Sequence, residues 1–151
     1  MSELDGEVYA KHADELTRFA TTLVGPSDAE DVMASAVVGA MRSVTWSEVR
    51  DPRAYLYRAV LNEARMRQRA GVRRRRREAA AAAPDTQPDS HLSMEVRDAV
   101  DRLSVRARSV LHLAYWHDMT VEEISRTLGL SRRSTERALT EARRTLEEEL
   151  S

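Results

Sequence analysis

Apolar residues recur every three to four positions along most of the chain, which is the spacing of amphipathic helices. No segment sustains the alternation of apolar and polar residues that is typical of β-strands. The helices that this pattern predicts cover residues 7–24, 27–44, 52–78, 94–103, 105–118, 120–128 and 131–150. Hydrophobic residues make up 42% of the chain and aromatic residues only 5%, so Leu, Val and Ala must fill the cores. We therefore expect an all-α protein.

A polar segment interrupts the pattern after the third predicted helix. Residues 79–92 begin with an alanine run, contain Pro84 and Pro88, and are otherwise rich in Asp, Ser, Thr and Gln. Prolines break helices, and polar side chains keep a segment in solvent. The sequence thus predicts two small helical domains, residues 1–78 and 93–151, joined by a flexible linker over residues 79–92.

The stretch from Met119 to Leu150 has the pattern of a helix-turn-helix. Thr120 and Glu123 have the spacing of a capping box at the start of a short first helix. Gly129 suits the end of that helix, and Ser131 suits the N-cap of the second. We expect a DNA-binding helix-turn-helix domain at the C-terminal end of the chain.

The charges around the second helix of this motif favour DNA reading. An ordinary helical hairpin would show the same apolar spacing, so the spacing alone leaves that alternative open. Basic side chains, however, cluster near the start of the second helix, at Arg132, Arg133 and Arg137. Arginine suits bidentate contacts with guanine and phosphate.

The third predicted helix carries the largest positive charge in the chain. Residues 51–78 hold ten basic and three acidic residues, a net charge of +7, although the whole chain has a net charge of −1. One face repeats polar residues at spacings of four, three, four and four: Arg58, Asn62, Arg65, Arg69 and Arg73. A solvated helix end would also explain the charge. Three aromatic residues lie nearby in the sequence, Trp46, Tyr55 and Tyr57, and cations combined with rings are typical of single-stranded nucleic-acid binding.

The predicted second helix is apolar over more than half of its circumference, which is wider than one buried face requires. It is either the central helix of a small bundle or a helix that also docks a partner protein. Ser27 and Glu30 have the spacing of a capping box at its start. Asp28, Glu30 and Asp31 lie in its first turn, where the helix dipole favours anions.

Other classes of protein are disfavoured. The chain has no cysteine, which excludes disulfides and thiolate metal sites and fits a reducing cytoplasm. The acidic N-terminal segment is not a signal peptide, and no apolar run approaches the roughly 20 residues of a membrane span. The four histidines show no ligand spacing, and no nucleophile-base pair or phosphate-binding loop appears. We therefore expect no enzyme activity, no metal and no cofactor.

Three segments, in this order along the chain, resemble the extracytoplasmic-function sigma factors of the bacterial primary sigma superfamily. The segment 27–32 (SDAEDV) resembles the start of the region-two helix that docks on core RNA polymerase. The segment 51–77, with Asn62 and the arginines, resembles the promoter-melting and minus-ten segment. The segment 103–131 resembles region four, which reads the minus-thirty-five element.

The resemblance implies a cytoplasmic transcription initiation factor that directs core RNA polymerase to promoters and assists promoter melting. It implies polymerase contacts by Asp28, Glu30, Asp31 and Val32. It implies minus-ten contacts by Trp46, Tyr55, Arg58, Asn62, Arg65, Arg69 and Arg73. It implies major-groove contacts at the minus-thirty-five element by Ser131, Arg132, Arg133, Ser134 and Arg137. An anti-sigma factor is a further partner that the resemblance implies.

The chain departs from the family pattern at two places. Ala34 and Ser35 stand where members usually carry Gln and an acidic residue, on the surface that binds polymerase. Glu136 and Ala138 replace usual basic residues of the recognition helix, so we expect a different minus-thirty-five sequence. Two other functions use the same residues: a stand-alone helix-turn-helix transcriptional regulator, and an interaction module that has lost promoter activity.

Overall fold

The computed structural model describes the backbone of residues 3–43, 45–78 and 94–150, and the side chains of residues 6–43, 45–71 and 95–149. Within these ranges the chain is helical and has no strand, which confirms the predicted fold class. The predicted linker, residues 79–92, lies outside the described residues. The elements are α1 (Glu3–Val24), α2 (Pro26–Arg42), a 3₁₀ turn (Trp46–Glu48), α3 (Pro52–Glu78), α4 (Met94–Asp101), α5 (Val105–Trp116), α6 (Val121–Leu128) and α7 (Arg132–Leu150).

Helices α1 to α3 form the N-terminal unit, in which each helix packs against the other two. The apolar residues of α1 from Leu16 to Leu23 are buried, and they share one core cluster with Leu56, Val60 and Leu61 of α3. Helix α3 starts as its sequence predicts, because Asp51 Oδ1 accepts a hydrogen bond from the Ala54 amide at 3.1 Å.

The predicted capping box of α2 is wrong. The helix begins at Pro26, one residue before the predicted cap, and its N-cap is Gly25 with φ of +86° and no side-chain hydrogen bond. Proline is favoured at the first helical position because its fixed φ suits a helix and its missing N–H is not needed there. Ser27 therefore lies inside the first turn, where its hydroxyl cannot serve as the N-cap.

Helices α4 to α7 form the C-terminal unit, and α6 and α7 form a helix-turn-helix. The capping box of Thr120 and Glu123 is present in both directions, at 3.2 Å each. Gly129 ends α6 in the left-handed region with φ of +67°, and Ser131 Oγ accepts a hydrogen bond from the Ser134 amide at 3.0 Å. These contacts confirm the three predicted helix ends of the motif.

Helix α5 exposes an aromatic residue. Tyr115 is 61% exposed, and its hydroxyl accepts a hydrogen bond from Arg143 Nε at 3.1 Å. The buried face of α5 is instead occupied by Val110, Leu113 and His112. Tyr115 points towards solvent instead.

The two units pack directly against each other. Helix α5 contacts α1 and α3, and α6 contacts α3, so one apolar cluster runs through both units, while Leu103, Ala107 and Ala142 form a second, smaller one. At the centre of the larger cluster the Phe19 ring lies 4.7 Å from the Tyr57 ring and 5.4 Å from the His112 ring, measured between centroids. Thr22 Oγ1 and His112 Nδ1, 2.8 Å apart, add a hydrogen bond between α1 and α5.

Two arginines cap helices of the opposite unit. Arg108 of α5 donates to the Leu23 carbonyl at the end of α1, at 2.6 Å. Arg58 of α3 donates to the Arg126 and Thr127 carbonyls at the end of α6. Helix C-termini leave carbonyls without intrahelical partners and attract cations, so each arginine stabilises the interface between the units.

Candidate nucleic-acid interface

The polar face of α3 is displayed largely as its spacing predicts. Arg58, Asn62 and Arg69 are exposed, and Arg65 is partly buried. Arg73 lies on the same helix, but its side chain is outside the described residues. Burial, followed by repulsion from Arg106 and Arg69, lowers the pKa of Arg65. Among the described side chains of this face, Arg65 and Arg69 are therefore the cations that no other helix engages, because Arg58 already hydrogen-bonds to α6.

Two of the three aromatic residues near α3 are available at the surface. Trp46 and Tyr55 are partly buried, and their rings make an edge contact with centroids 5.8 Å apart. Tyr57 is completely buried and donates a hydrogen bond to Glu15 at 2.8 Å. Because burial raises the pKa of Tyr57, it stays a neutral hydrogen-bond donor, and its role is in the core rather than in stacking on bases.

The arginines near the N-terminus of α7 differ in whether they form ion pairs. Arg132 pairs with Glu122 at 2.8 Å and with Glu136 at 3.0 Å, so its charge is largely compensated. Arg133 and Arg137 are exposed and form no ion pair with any residue that the structure describes. These two are the guanidinium groups that the motif leaves available for a base or a phosphate. Ser131 is exposed but its hydroxyl caps α7, and Ser134 is partly buried.

The packing of the units brings both arginine groups to one cleft of about 440 Å³. Arg65 and Arg69 of α3 line it from the N-terminal unit, and Arg137 of α7 lines it from the C-terminal unit. Arg106 of α5 is a fourth lining arginine, which the sequence reasoning missed. Arg102 and Arg108 are near it in the sequence, but only the packing of the units places Arg106 in the cleft.

Family comparisons agree with this division into two units. The family model described as Sigma-70 region 2 matches residues 8–78, and the one described as Sigma-70, region 4 matches residues 93–146. The RNA polymerase sigma-E factor of Streptomyces avermitilis is 31% identical over 157 residues, which cover 97% of this chain and 86% of the relative. This chain is an extracytoplasmic-function sigma factor of the sigma-70 family.

Further relatives have the same organisation. The sigma-E factor of Streptomyces coelicolor is 30% identical over 158 residues, with the same coverage. One similar solved structure is the sigma factor RpoE of Bartonella quintana, in complex with the anti-sigma factor NepR. The alignment covers 99% of this chain and 98% of the RpoE chain, with a TM-score of 0.73 and 18% identity. A second is CnrH, in complex with the cytosolic domain of CnrY. That alignment covers 97% of this chain and 86% of the CnrH chain, with a TM-score of 0.63 and 24% identity. Both structures share the fold of this sigma factor.

Membership in this family decides between the functions that the sequence left open. The sigma factor directs RNA polymerase to promoters and is not an enzyme. A stand-alone regulator would need only the helix-turn-helix, whereas the chain also matches the sigma region-two family. None of the described helices is both long enough and apolar enough to cross a membrane.

The sigma factor presents an acidic edge at the start of α2. Asp28, Glu30 and Asp31 are exposed there, whereas Val32 is completely buried in the core. Val32 thus offers no surface to a partner, and its role is packing. Further along α2, Val38 is 39% exposed, and we call this exposed apolar surface beside the acidic edge the apolar flank.

Proposed function

We propose that residues 1–78 bind core RNA polymerase and the minus-ten element, that residues 93–151 read the minus-thirty-five element, and that residues 79–92 link them. The observation that carries this proposal is the pair of arginine groups, one on α3 and one at the start of α7. Each group lies on an exposed helix face beside polar side chains. Phosphate contacts by arginine position a protein on DNA, and base contacts give specificity.

At the minus-ten element, different side chains of α3 and the 3₁₀ turn stack on bases, hydrogen-bond to DNA and contact phosphates. Trp46 and Tyr55 offer partly exposed ring surfaces on which flipped bases of the non-template strand stack. Asn62 is exposed on the same helix and hydrogen-bonds a base edge or the backbone. The phosphate contacts come from Arg58, Arg65, Arg69 and Arg73.

At the minus-thirty-five element, α7 enters the major groove with its N-terminal turn. Arg133 and Arg137 carry uncompensated charge and suit guanine, which arginine contacts through O6 and N7. Ser131 and Ser134 contact the phosphate backbone beside them. Arg132 contributes less, because its ion pairs with Glu122 and Glu136 must be broken or shared.

Core polymerase binds the acidic edge of α2, formed by Asp28, Glu30 and Asp31 with the neighbouring apolar flank. The sigma factor acts in the cytoplasm, where polymerase and promoters are. An anti-sigma factor is a further partner, a proposal supported by the two structural relatives, which were solved in complexes with NepR and CnrY.

The packed arrangement of the two units does not fit a promoter. The minus-ten and minus-thirty-five elements are about 25 base pairs apart, which at roughly 3.4 Å per pair along each strand is on the order of 80 Å. In the structure, Arg65 and Arg137 line the same cleft. In addition, the Arg58 guanidinium is engaged by α6. Promoter binding therefore requires the units to separate, with residues 79–92 connecting them.

The proposal is tested by transcription from a random promoter library with core RNA polymerase and this sigma factor. We expect transcripts to share one sequence near minus ten and a second near minus thirty-five. A matched reaction with residues 1–78 alone should lose the upstream preference. If no promoter-specific transcripts are made, the assignment of the two regions is wrong.

The phosphate contacts of α3 predict a weaker salt dependence in a triple variant. Replacing Arg65, Arg69 and Arg73 with alanine removes three proposed single-strand contacts. The slope of log binding constant against log salt should then become shallower by about 2, at roughly 0.7 per contact. The control is a triple alanine variant at Arg102, Arg143 and Arg144, which changes the net charge equally but lies away from α3. Equal slopes for both variants would remove α3 from the strand path.

The ion-paired and unpaired arginines of α7 are expected to affect specificity differently. Arg133→Ala should weaken binding to the preferred promoter by about 1–3 kcal/mol and relax the preference at one base pair. Arg132→Ala should have a smaller effect, since Glu122 and Glu136 already compensate its charge. Binding to a set of single-base promoter variants measures both. A uniform loss over all sequences would make Arg133 a phosphate contact instead.

A further inference from the structure

The cleft between the two units has the composition of an anion site. Its wall carries the guanidinium groups of three helices and a single carboxylate, that of Glu141. The lining residues are Arg65, Gln68, Arg69, Ser104, Val105, Arg106, Ser134, Arg137, Ala138 and Glu141. We call this site the arginine cleft, after Arg65, Arg69, Arg106 and Arg137.

The positive charge of the arginine cleft is not neutralised by the part of the chain that the structure describes. None of its four arginines forms an ion pair with a described residue. Glu141 accepts a hydrogen bond from Ser104 Oγ at 3.3 Å instead. Burial, and then repulsion from Arg106 and Arg69, lowers the pKa of Arg65, so both of these arginines lie close to it. Such a cluster is stabilised by an anion that binds between its members.

One arginine that lines the cleft, Arg106, has a buried hydrogen-bond donor with no partner among the described residues. The Nε of Arg106 is shielded from solvent, and no described acceptor is within reach. Leaving a buried charged donor unpaired is costly, so such groups in native proteins are usually explained by a ligand, a water or an ion. The Arg106 guanidinium thus lines the cleft with its Nε–H unpaired, so its charge is not compensated by any described residue.

The N-terminus of α5 adds to the same site. Ser104 caps the helix by accepting a hydrogen bond from the Ala107 amide at 3.1 Å. The amides of Val105 and Arg106, in the first turn, are among those that have no intrahelical acceptor. Both residues line the cleft, and the 12-residue helix directs the positive end of its dipole there. Backbone donors and guanidinium groups therefore converge on one volume.

The lining chemistry restricts the ligand. No lining residue is aromatic, so the cleft has no ring on which a base would stack. The four arginines and one glutamate favour a compact ligand with about three negative charges. A volume of about 440 Å³ lies within the range of small-molecule sites. A chain of linked phosphates meets these requirements, because each phosphate offers several acceptors to the planar guanidinium forks.

We propose that the arginine cleft binds an oligophosphate chain, either inorganic or carried by a nucleotide, and that the bound chain holds α3 of one unit against α5 and α7 of the other. Arg65, Arg69 and Arg137 would then be occupied by the ligand and unavailable to DNA. The ligand thereby stabilises the packed arrangement and opposes promoter binding. This last consequence rests on the proposed promoter contacts, whereas the binding site itself does not.

Titration calorimetry on the full chain at low salt tests the site, with sodium tripolyphosphate, ATP and orthophosphate as probes. We expect one tripolyphosphate per chain and an affinity at least tenfold higher than that for orthophosphate. ATP should bind about as well as tripolyphosphate if the phosphate chain is what is recognised, and much more weakly if only the inorganic ligand fits. The proposal is overturned if tripolyphosphate shows no saturable binding up to about 1 mM.

Matched variants locate the site. Arg106→Gln should weaken tripolyphosphate binding at least tenfold, because it removes the buried donor and one charge. Arg144→Gln, on the exposed part of α7 outside the cleft, makes the same change of charge and should have little effect. Arg69→Gln tests the opposite wall and covers the case in which Arg106→Gln does not fold, which circular dichroism would reveal. Equal losses in the Arg106 and Arg144 variants would make the binding nonspecific and contradict the proposal.

Measurements of promoter binding distinguish a failure of the oligophosphate site from a failure of the proposed sigma function. Arg106 is not among the proposed promoter contacts, so Arg106→Gln should still support promoter-specific transcription. Tripolyphosphate should inhibit promoter binding by the unmodified chain at concentrations that leave the Arg106→Gln variant active. Inhibition of both to the same extent would show that the anion competes through general charge screening, and the oligophosphate site would be wrong even though the sigma function stands.

Discussion

A Phe19→Ala variant is expected to lose about 3–5 kcal/mol of its free energy of unfolding. Phe19 is completely buried and makes edge contacts with the Tyr57 ring of its own unit and the His112 ring of the other. Removing the ring leaves a cavity where both units meet, and it also forfeits the ring-ring contacts. The loss is a large share of the 5–15 kcal/mol that is ordinary for a whole domain.

Urea unfolding followed by circular dichroism measures this loss. Met66→Ala is the control, because Met66 is 56% exposed and its truncation should change stability by only about 0.5 kcal/mol. Phe19→Leu fills part of the cavity and should fall between the two. A loss below about 1 kcal/mol in Phe19→Ala would mean that the cluster between the units does not form in solution.

The helices and most of their ends could be predicted because their causes are local. The hydroxyl of Thr120, the carboxylate of Asp51 and the conformation of Gly129 each act within about four residues of their own position. Ser27 failed for the same local reason, since Pro26 and Gly25 compete for the start of α2. Helical periodicity then places most buried residues on the correct faces.

The packing of the two units could not be predicted from these patterns. Periodicity shows that a face is apolar but not which helix covers it, and the polar linker suggested two separate bodies. The sequence gives Arg108 no role and predicts Arg58 as a minus-ten contact, yet each caps a helix of the opposite unit. His112, interpreted as an isolated histidine, hydrogen-bonds to Thr22 across the interface.

The candidate site was predictable in its charges but not in its assembly. The spacing of Arg65 and Arg69 along α3 and the arginines of α7 are visible in the sequence. Their meeting in one cleft depends on tertiary packing, as does the participation of Arg106. Gly129 is constrained both by local helix geometry and by tertiary packing. Its positive φ follows from the helix end, whereas a side chain there would also meet Arg58 Nε of the other unit at 3.1 Å.

The neighbouring histidines His112 and His117 predict that stability falls at mildly acidic pH. His112 is 7% exposed, and burial, with smaller contributions from His117 and Arg18, lowers its pKa to about 4. Burial is also the main cause that lowers the pKa of His117, which interacts with Glu15 and Arg53 as well. Because the neutral form is favoured in the folded chain, the full contribution to stability is present above the unfolded pKa of about 6.5.

As the pH falls below that value, the unfolded chain takes up the proton first and gains stability relative to the folded chain. For His112 alone, the free energy of unfolding should drop by about 2 kcal/mol between pH 7 and pH 5, and by about 3 kcal/mol once the pH is below 4. The pKa of Glu15 is lowered from 4.5 by hydrogen bonds and charges that outweigh its burial, so its contribution is lost only at still lower pH. The window from pH 7 to pH 5 therefore belongs to the histidines.

Urea unfolding at pH 7 and pH 5 tests this dependence. His112→Gln keeps a hydrogen-bonding side chain beside Thr22 but cannot titrate, so its stability should change much less between the two pH values. His12→Gln, in α1 and outside the ring cluster, should retain the full loss. Since His112 and Thr22 lie on opposite sides of the interface, its protonation should also separate the units, which a larger radius of gyration in X-ray scattering at pH 5 would show. If His112→Gln loses as much stability as the unmodified chain, carboxylates rather than this histidine control the acid sensitivity.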